Sequence, residues 1–259
     1  MNDAPLPRFP AAKNWLGDEL LYWFFARWSL WSSFDRVWLQ SHGPLPDPDD
    51  GPLILYLNHS AWWDGYLMYI IHRIVLQGRF DAHLLMEEKQ LRAYRFFTWS
   101  GAFGLDRGNP AETERTLAYT VKLLRERKGS QARSVFIFPQ GRIVPQDQRP
   151  LVMYPGVARI ITQLNGDVNL CPVALRYEFS GEQRPHAFIR IGPVHRADAA
   201  DSARATMRDL NKRLTQACDA LRDDVVGEQR NRFAVILRGQ RGIDQQFDRF
   251  RKLFRRTRR

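Results

Sequence analysis

The chain has few of the residues and patterns that mark several common classes of protein. It contains only two cysteines, Cys171 and Cys218, among 259 residues. They form no disulfide framework and lack the spacing of a metal site, so we expect a reducing compartment. No run of about 18 uninterrupted apolar residues occurs, which argues against a simple transmembrane helix. The N-terminus lacks a basic region that leads into an apolar core, so we also expect no secretory signal peptide.

The positive charge of the chain is unevenly spread. The formal net charge is +11, and residues 247–259 supply +6 of it through seven Lys/Arg and one Asp. Such blocks bind polyanions, either nucleic acid or anionic lipid. Phe247, Phe250, Leu253 and Phe254 recur at helical spacing among these arginines, which predicts a basic amphipathic helix on anionic lipid. A solvated tail is the alternative, and no recognised nucleic-acid motif is present, so we expect no nucleic-acid partner.

Aromatic residues are concentrated near the N-terminus. Five of the eight tryptophans lie within residues 15–39, with no proline between them. This segment predicts one long helix or two short ones that lie in a membrane interface, where tryptophan rings sit at headgroup level. A helix that packs its aromatic face on the protein core is the alternative.

Strands and helices alternate after the Pro- and Gly-rich connector at 41–52. Short apolar runs predict five strands, at 53–57, 81–86, 134–138, 168–175 and 187–191. Asn109, Pro110 and Glu112 predict the capped start of one helix, and apolar spacing predicts another over about 201–223. This alternation predicts an α/β layered fold.

One histidine and one aspartate follow the first predicted strand. Asp64 comes five positions after His59, which in one straight helix is a turn of about 140°, so the two would not share a face. If His59 lies on the turn and Asp64 in the next helix, the carboxylate can fix the imidazole tautomer, as in a general base with its orienting partner. The alternative is a buried histidine bonded to a helix-capping aspartate. Because Ser60 diverges from its neighbour and no G-x-S-x-G motif exists, the base would act on the hydroxyl of a bound acceptor.

Two further segments have the character of anion sites. The first, GAFGLDRGN at 101–109, places Arg107 in a Gly-bordered loop just before a capped helix, which suits phosphate. The second, FIFPQGRIVP at 136–145, ends a strand with Pro139, Gly141 and Arg142. A surface arginine and a plain strand-to-loop turn are the alternative interpretations.

Four motifs in this order resemble one family. They are N-H-x4-D at 58–64, G-x-F-x-x-D-R at 101–107, F-P-x-G at 138–141 and an apolar-Pro-Val strand at 170–175. The combination resembles the glycerolipid acyltransferases, which include the glycerol-phosphate and lysophospholipid acyltransferases. The resemblance covers roughly residues 50–195 and implies a mixed, largely parallel sheet flanked by helices, often preceded by a membrane-associating helical segment.

The resemblance also implies an activity and a set of roles. The enzyme would move a fatty acyl group from acyl-CoA or acyl carrier protein to a lysolipid hydroxyl, with 1-acylglycerol-3-phosphate as the default acceptor and with no metal or other cofactor. His59 would be the base and Asp64 its partner. Substrate-binding roles would fall to Arg107, Gly141, Arg142, Gln140 and Asn58.

One departure from the family pattern concerns the acceptor. The third motif usually reads F-P-E-G-T-R, whereas this chain has F-P-Q-G-R-I. The neutral Gln140 cannot pair with a cation as glutamate would. An acyltransferase for a glycolipid, a pigment or another lipid hydroxyl therefore stays open. A non-catalytic membrane-binding protein with the same fold is a further alternative, against which the His59–Asp64 pair argues.

These observations predict three regions and a location. Residues 1–50 would form an arm with an aromatic-rich interfacial helix, 51–235 the acyltransferase domain and 236–259 a basic amphipathic tail. We expect a peripheral or monotopic protein on the cytoplasmic face of a membrane, with a membrane surface and anionic lipid as partners.

Overall fold

The fold is built on one nine-stranded, largely parallel sheet. The computed structural model describes residues 6–240, so the predicted helix within 247–259 lies outside the described part of the chain. The strands are β1 Arg36–Ser41, β2 Leu53–Leu57, β3 Asp81–Glu87, β4 Ala102–Leu105, β5 Arg127–Lys128, β6 Gln131–Ile137, β7 Asn169–Glu178, β8 His186–Ile191 and β9 Ala234–Arg238. Their order is β4-β3-β6-β2-β7-β8-β1-β9, with the short β5 paired to β6.

Helices cover both faces of this sheet. The α-helices are α1 Trp15–Leu20, α2 Trp28–Ser33, α3 Asp64–Ile70, α4 Glu88–Ala93, α5 Pro110–Arg125, α6 Gly156–Gln163 and α7 Ala203–Val226. A π-helical stretch, Leu21–Arg27, joins α1 to α2, and another, Ile71–Val75, continues α3. Among residues 6–240, no helix is both long and apolar enough to cross a membrane.

The central strand β2 explains why the sheet has two cores. All five of its residues are buried, and successive side chains in a strand point to opposite faces. Leu53, Leu55 and Leu57 enter the core beneath the N-terminal helices and α3. Ile54 and Tyr56 enter the core beneath α5, α6 and α7. Since β6 and β7 flank it in parallel, the carboxyl end of β2 opens onto the middle of one sheet edge.

The predicted layered fold is confirmed, and its elements lie close to their expected places. Each of the five predicted strands overlaps an observed strand, β2 with the same bounds. Asn109 caps α5 through a bond of 3.2 Å from the Glu112 N–H. The Glu112 carboxylate does not complete a reciprocal capping box, because it accepts instead from Arg115 and from the Arg8 N–H.

The N-terminal region differs from the predicted helix over 15–39. The helical part ends at Ser33, and β1 then pairs with β8 and β9. Val37 is fully buried and Trp38 nearly so, because they point to opposite faces of the sheet and each enters one of the two cores. The predicted boundary at residue 50 places β1 outside the domain, although β1 is a strand of its sheet. The predicted boundary at residue 235 falls inside β9.

Candidate active site

His59 and Asp64 meet at the carboxyl end of β2. His59 lies in the turn that follows the strand, and Asp64 is the first residue of α3. Imidazole Nδ1 lies 2.7 Å from Asp64 Oδ2. The Asp64 side chain is fully buried, while that of His59 is 23% exposed. The two groups therefore adopt the strand-turn-helix arrangement that the five-residue spacing requires.

Asp64 is surrounded by donors, and this fixes the proton on the histidine. Its Oδ2 also accepts from the N–H groups of Ser60 and Ala61, at 2.7 and 2.9 Å. Its Oδ1 accepts from the Tyr177 hydroxyl at 2.5 Å. Because an ionised carboxylate can only accept hydrogen bonds, the Nδ1–H of His59 must be the donor to Asp64. Nε2 then keeps its lone pair and is free to accept a proton.

Tyr177 is a site residue that the sequence gives no means of finding. It lies on β7, 113 residues from Asp64 along the chain. Burial and the negative charge of Asp64 raise the pKa of the Tyr177 phenol well above its ordinary value. The hydroxyl therefore stays protonated and acts as a permanent donor to Asp64.

The third motif holds the backbone of His59 on both sides. The His59 N–H donates to Gln140 Oε1 at 2.7 Å, and the His59 carbonyl accepts from the Val144 N–H at 2.9 Å. The Phe138 ring lies 4.6 Å from the imidazole, centroid to centroid. Gln140 is buried, so its amide oxygen serves the histidine. The resemblance implies a substrate contact for Gln140, whereas here its side chain contacts the His59 backbone. A neutral amide oxygen is sufficient for this contact, because the donor is a backbone N–H.

The side chain of Asn58 likewise makes its hydrogen bonds within the protein. Its amide donates to the Leu175 carbonyl at 2.9 Å and accepts from the Leu175 N–H at 2.7 Å. Both polar atoms of this buried side chain are thus used to join the end of β2 to β7. These contacts are structural and fix where the turn with His59 begins, while the expected substrate role of Asn58 stays a prediction.

A cavity of about 500 Å³ opens beside His59, within the range of small-molecule sites. Besides His59, its charged and amide side chains are Glu87, Gln90, Arg107 and Arg142, and its walls are largely apolar or aromatic, including Trp62, Tyr66, Leu84, Tyr94, Phe97 and Phe138. The cavity therefore combines a charged end with walls suited to a hydrocarbon chain.

Arg107 and Gly141 are brought together from two different motifs. The Arg107 guanidinium lies over the Tyr154 ring, 4.8 Å from its centroid. Gly141 has φ +65°, and a Cβ there would lie 2.5 Å from Arg107 Nη1. Glycine adopts this positive φ without strain, and it leaves the space beside its Cα to the Arg107 guanidinium and the Tyr154 ring. Gly141 thus shapes the place that Arg107 occupies.

The two arginines of the cavity differ in their partners. Arg107 Nη2 lies 3.4 Å from Glu87 Oε1. Arg142 is exposed and makes no hydrogen bond or ion pair with any residue in the range 6–240. Both guanidinium groups are therefore available to an anion that enters the cavity.

The tandem tryptophans have separate environments. Trp62 is 61% exposed and lines the cavity, where it contacts Tyr66 edge-on with centroids 5.1 Å apart. Trp63 packs against the core, with its ring 5.4 Å from that of Phe34. Trp62 therefore forms part of the cavity wall, whereas Trp63 belongs to the core.

The arrangement places an imidazole with a bonded carboxylate beside a cavity that holds two guanidinium groups, and no activated nucleophile lies beside them in the described part of the chain. The Ser60 hydroxyl is buried without a hydrogen-bond partner in the described structure. Within residues 6–240, no group of three or more His, Cys, Asp or Glu side chains is arranged to hold a metal ion. The chemistry that these side chains can perform is removal of a proton from a bound group next to Nε2.

Comparison with known proteins finds a family model and solved structures of the same fold. A family model described as "Acyltransferase" matches residues 39–176, more than half of the chain. No curated protein sequence matches significantly. Among solved structures, the 1-acyl-sn-glycerophosphate (LPA) acyltransferase PlsC from Thermotoga maritima has a TM-score of 0.53 at 14% identity, over 74% of this chain and 73% of that one. At this identity the likeness shows a common fold.

Proposed function

The chain belongs to the acyltransferase family, and from that premise we propose that it moves a fatty acyl group from an acyl thioester to a hydroxyl of a lysophospholipid. The donor would be acyl-CoA or acyl carrier protein. The observation that carries the proposal is the bond between His59 Nδ1 and Asp64 at the mouth of the cavity. A base without a protein nucleophile fits direct transfer between two bound substrates.

The proposed reaction has two steps that share one proton. Nε2 of His59 takes the proton of the acceptor hydroxyl as its oxygen attacks the thioester carbonyl. The tetrahedral intermediate then collapses, the C–S bond breaks, and the departing thiolate takes the proton back from the imidazolium. Asp64 keeps Nδ1 protonated throughout and stabilises the transient cation.

The charged end of the cavity supports a phosphorylated acceptor. Arg107 and Arg142 would bind the phosphate, and Gly141 would leave room for it beside Arg107. Guanidinium groups bind phosphate through paired, charge-assisted hydrogen bonds. By resemblance to the family, the default acceptor of this class is 1-acylglycerol-3-phosphate, and the headgroup contacts of the cavity decide whether another lysophospholipid is preferred.

A direct test is an acceptor screen by mass spectrometry. Purified protein would be given one acyl-CoA and a panel of lysophospholipids, glycolipids and lipid alcohols, beside the same protein with His59→Ala. We expect acylation of lysophospholipids by the wild type alone. Acylation of only a glycolipid or lipid alcohol would replace the proposed acceptor class, and no acylation at all would favour the non-catalytic alternative.

Arg107→Ala is expected to raise the KM for a lysophospholipid by about tenfold or more, the scale of one charge-assisted hydrogen bond. The KM for acyl-CoA should stay within about twofold, because the proposed role of Arg107 concerns the acceptor alone. Steady-state kinetics with each substrate varied in turn would measure both values. Arg159→Ala removes an arginine paired with Glu114 away from the cavity and serves as the control. Equal increases in both KM values would remove the phosphate role.

We further propose that the protein rests on a membrane through an exposed aromatic surface. This aromatic surface comprises Trp15, Trp23, Phe24, Trp28, Tyr94 and Trp99, each more than 40% exposed. Contacts between Phe25 and Phe96 and between Gly17 and Trp99 join its two parts. Tyr94 also lines the cavity, so lipid could reach His59 from the same side. Attachment at the cytoplasmic face fits the reducing compartment that the few cysteines predict.

The double substitution Phe24→Ser and Trp28→Ser is expected to lower binding to anionic vesicles by about tenfold or more, since two large apolar side chains leave the interface. Vesicle flotation at low salt would measure the bound fraction. Val226→Ser changes an equally exposed apolar side chain on α7, which packs on the other core, and should leave binding unchanged. Equal flotation of the wild type and the double variant would contradict the membrane role of the aromatic surface.

A further inference from the structure

A carboxylate lies at the charged end of the cavity, where a phosphate site would be expected to hold only cations. Glu87 ends β3, and its register partner on β4 is Leu105, two residues before Arg107. This pairing brings the Glu87 carboxylate to 3.4 Å from the guanidinium. The pairing of β3 with β4 therefore places Glu87 beside Arg107.

The carboxylate of Glu87 is not committed to another role. Glu87 occupies the N-cap position of α4, but its side chain makes no capping hydrogen bond. The side chain is 45% exposed, and the contact with Arg107 is a single long one. Exposed pairs of this kind are weak and rearrange readily. Both Glu87 and Gln90 face the cavity, so a ligand would meet them.

We propose that Glu87 selects an acceptor whose headgroup carries an ammonium group beside its phosphate, as in a lysophosphatidylethanolamine. The proposal rests on the acyl transfer proposed above. Arg142, which lacks a partner in the described structure, would bind the phosphate together with Arg107. Glu87 would pair with the ammonium group and accept its N–H donors.

The charge of the headgroup decides between acceptors. A phosphate monoester such as lysophosphatidic acid carries up to two negative charges, and its headgroup has no positive charge to place beside Glu87. A zwitterionic headgroup places a positive charge there instead. Like charges at close range in a partly enclosed cavity repel, and unlike charges attract. Glu87 therefore raises the preference for the zwitterion in two ways, because it attracts the ammonium group and repels the phosphate monoester.

The test compares three acceptors that share one acyl chain and differ in headgroup charge. They are 1-oleoyl lysophosphatidylethanolamine, 1-oleoyl lysophosphatidylglycerol and 1-oleoyl lysophosphatidic acid. For the wild type, kcat/KM should favour the ethanolamine lipid over the glycerol lipid by about tenfold, the scale of one charge-assisted contact. Glu87→Gln should bring this ratio near one and raise kcat/KM for lysophosphatidic acid.

Glu114→Gln is the matched control. It neutralises another exposed glutamate paired with an arginine, on α5 and away from the cavity. It should alter none of the three values. Binding of each lysolipid without an acyl donor, followed by quenching of tryptophan fluorescence, provides an independent measurement of the same ratio.

The outcomes separate this proposal from the one on which it rests. Acylation by the wild type with the same ethanolamine-to-glycerol ratio in Glu87→Gln would overturn the role of Glu87 alone. No acylation of any acceptor would overturn the proposed function, and the binding ratio would then decide the role of Glu87. A wild type that prefers lysophosphatidic acid over the ethanolamine lipid would also overturn the selection.

Discussion

His59→Ala is expected to lower the rate of acyl transfer by about 10³-fold, within the range that a positioned general base contributes. The reason is that Nε2 is the proton acceptor left free by the bond between Nδ1 and Asp64. The fold should survive, because the side chain is partly exposed and Asp64 keeps three of its four donors. Thioester cleavage with a saturating lysolipid would measure the rate, and circular dichroism would measure the melting temperature.

Two comparisons make this result specific. Added imidazole should restore part of the rate of the alanine variant, because it can enter the space left beside the cavity and act as the base. His42→Ala, at the end of β1, should leave the rate unchanged. Full turnover by the His59→Ala protein in the presence of both substrates would end the assignment of His59 as the base.

Asp64→Asn is expected to cost both activity and stability, although it changes a single atom. In either orientation the amide NH₂ faces a donor: Tyr177 on one side, or His59, Ser60 and Ala61 on the other. Each buried donor left without an acceptor costs about 1–3 kcal/mol, so the melting temperature should fall by several degrees. The orientation and tautomer of His59 are lost as well, and we expect kcat to fall by about 10³-fold.

Tyr177→Phe gives a graded comparison at the same carboxylate. It removes the donor to Oδ1 and leaves the three bonds to Oδ2 in place. We expect kcat to fall by about tenfold with KM nearly unchanged, which is the mark of a positioning residue rather than of a binding one. Measurement of kcat, KM and the free energy of unfolding for both variants would test the order. An Asp64→Asn protein with the wild-type kcat would contradict the role of the carboxylate.

The central part of the fold could be predicted because its signals are local. The run at 53–57 is apolar on both faces of a strand, and Asn109-Pro110 carries the chemistry of a helix start. Strands near the edge of the sheet are harder to predict from the sequence. The aromatic sequence of β1 resembles the helical residues before it and so predicts a helix, and only pairing with β8 and β9 makes it a strand.

The candidate site was predictable to the extent that its residues lie within short motifs. The spacing of His59 and Asp64 requires a turn between a strand and a helix, and the structure has that turn. The resemblance implies substrate contacts for Gln140 and Asn58, but motif position does not reveal where a side chain points. One accepts from the His59 backbone and the other binds the Leu175 backbone.

By itself, the sequence determined the layered α/β fold, the meeting of His59 with Asp64, and the family. Only the tertiary structure decided which distant residues join them. Tyr177 reaches Asp64 because β7 lies beside β2, and Glu87 reaches Arg107 because β3 lies beside β4. The physical reason is that periodicity and capping act over a few residues, whereas strand order brings together side chains that no local pattern relates.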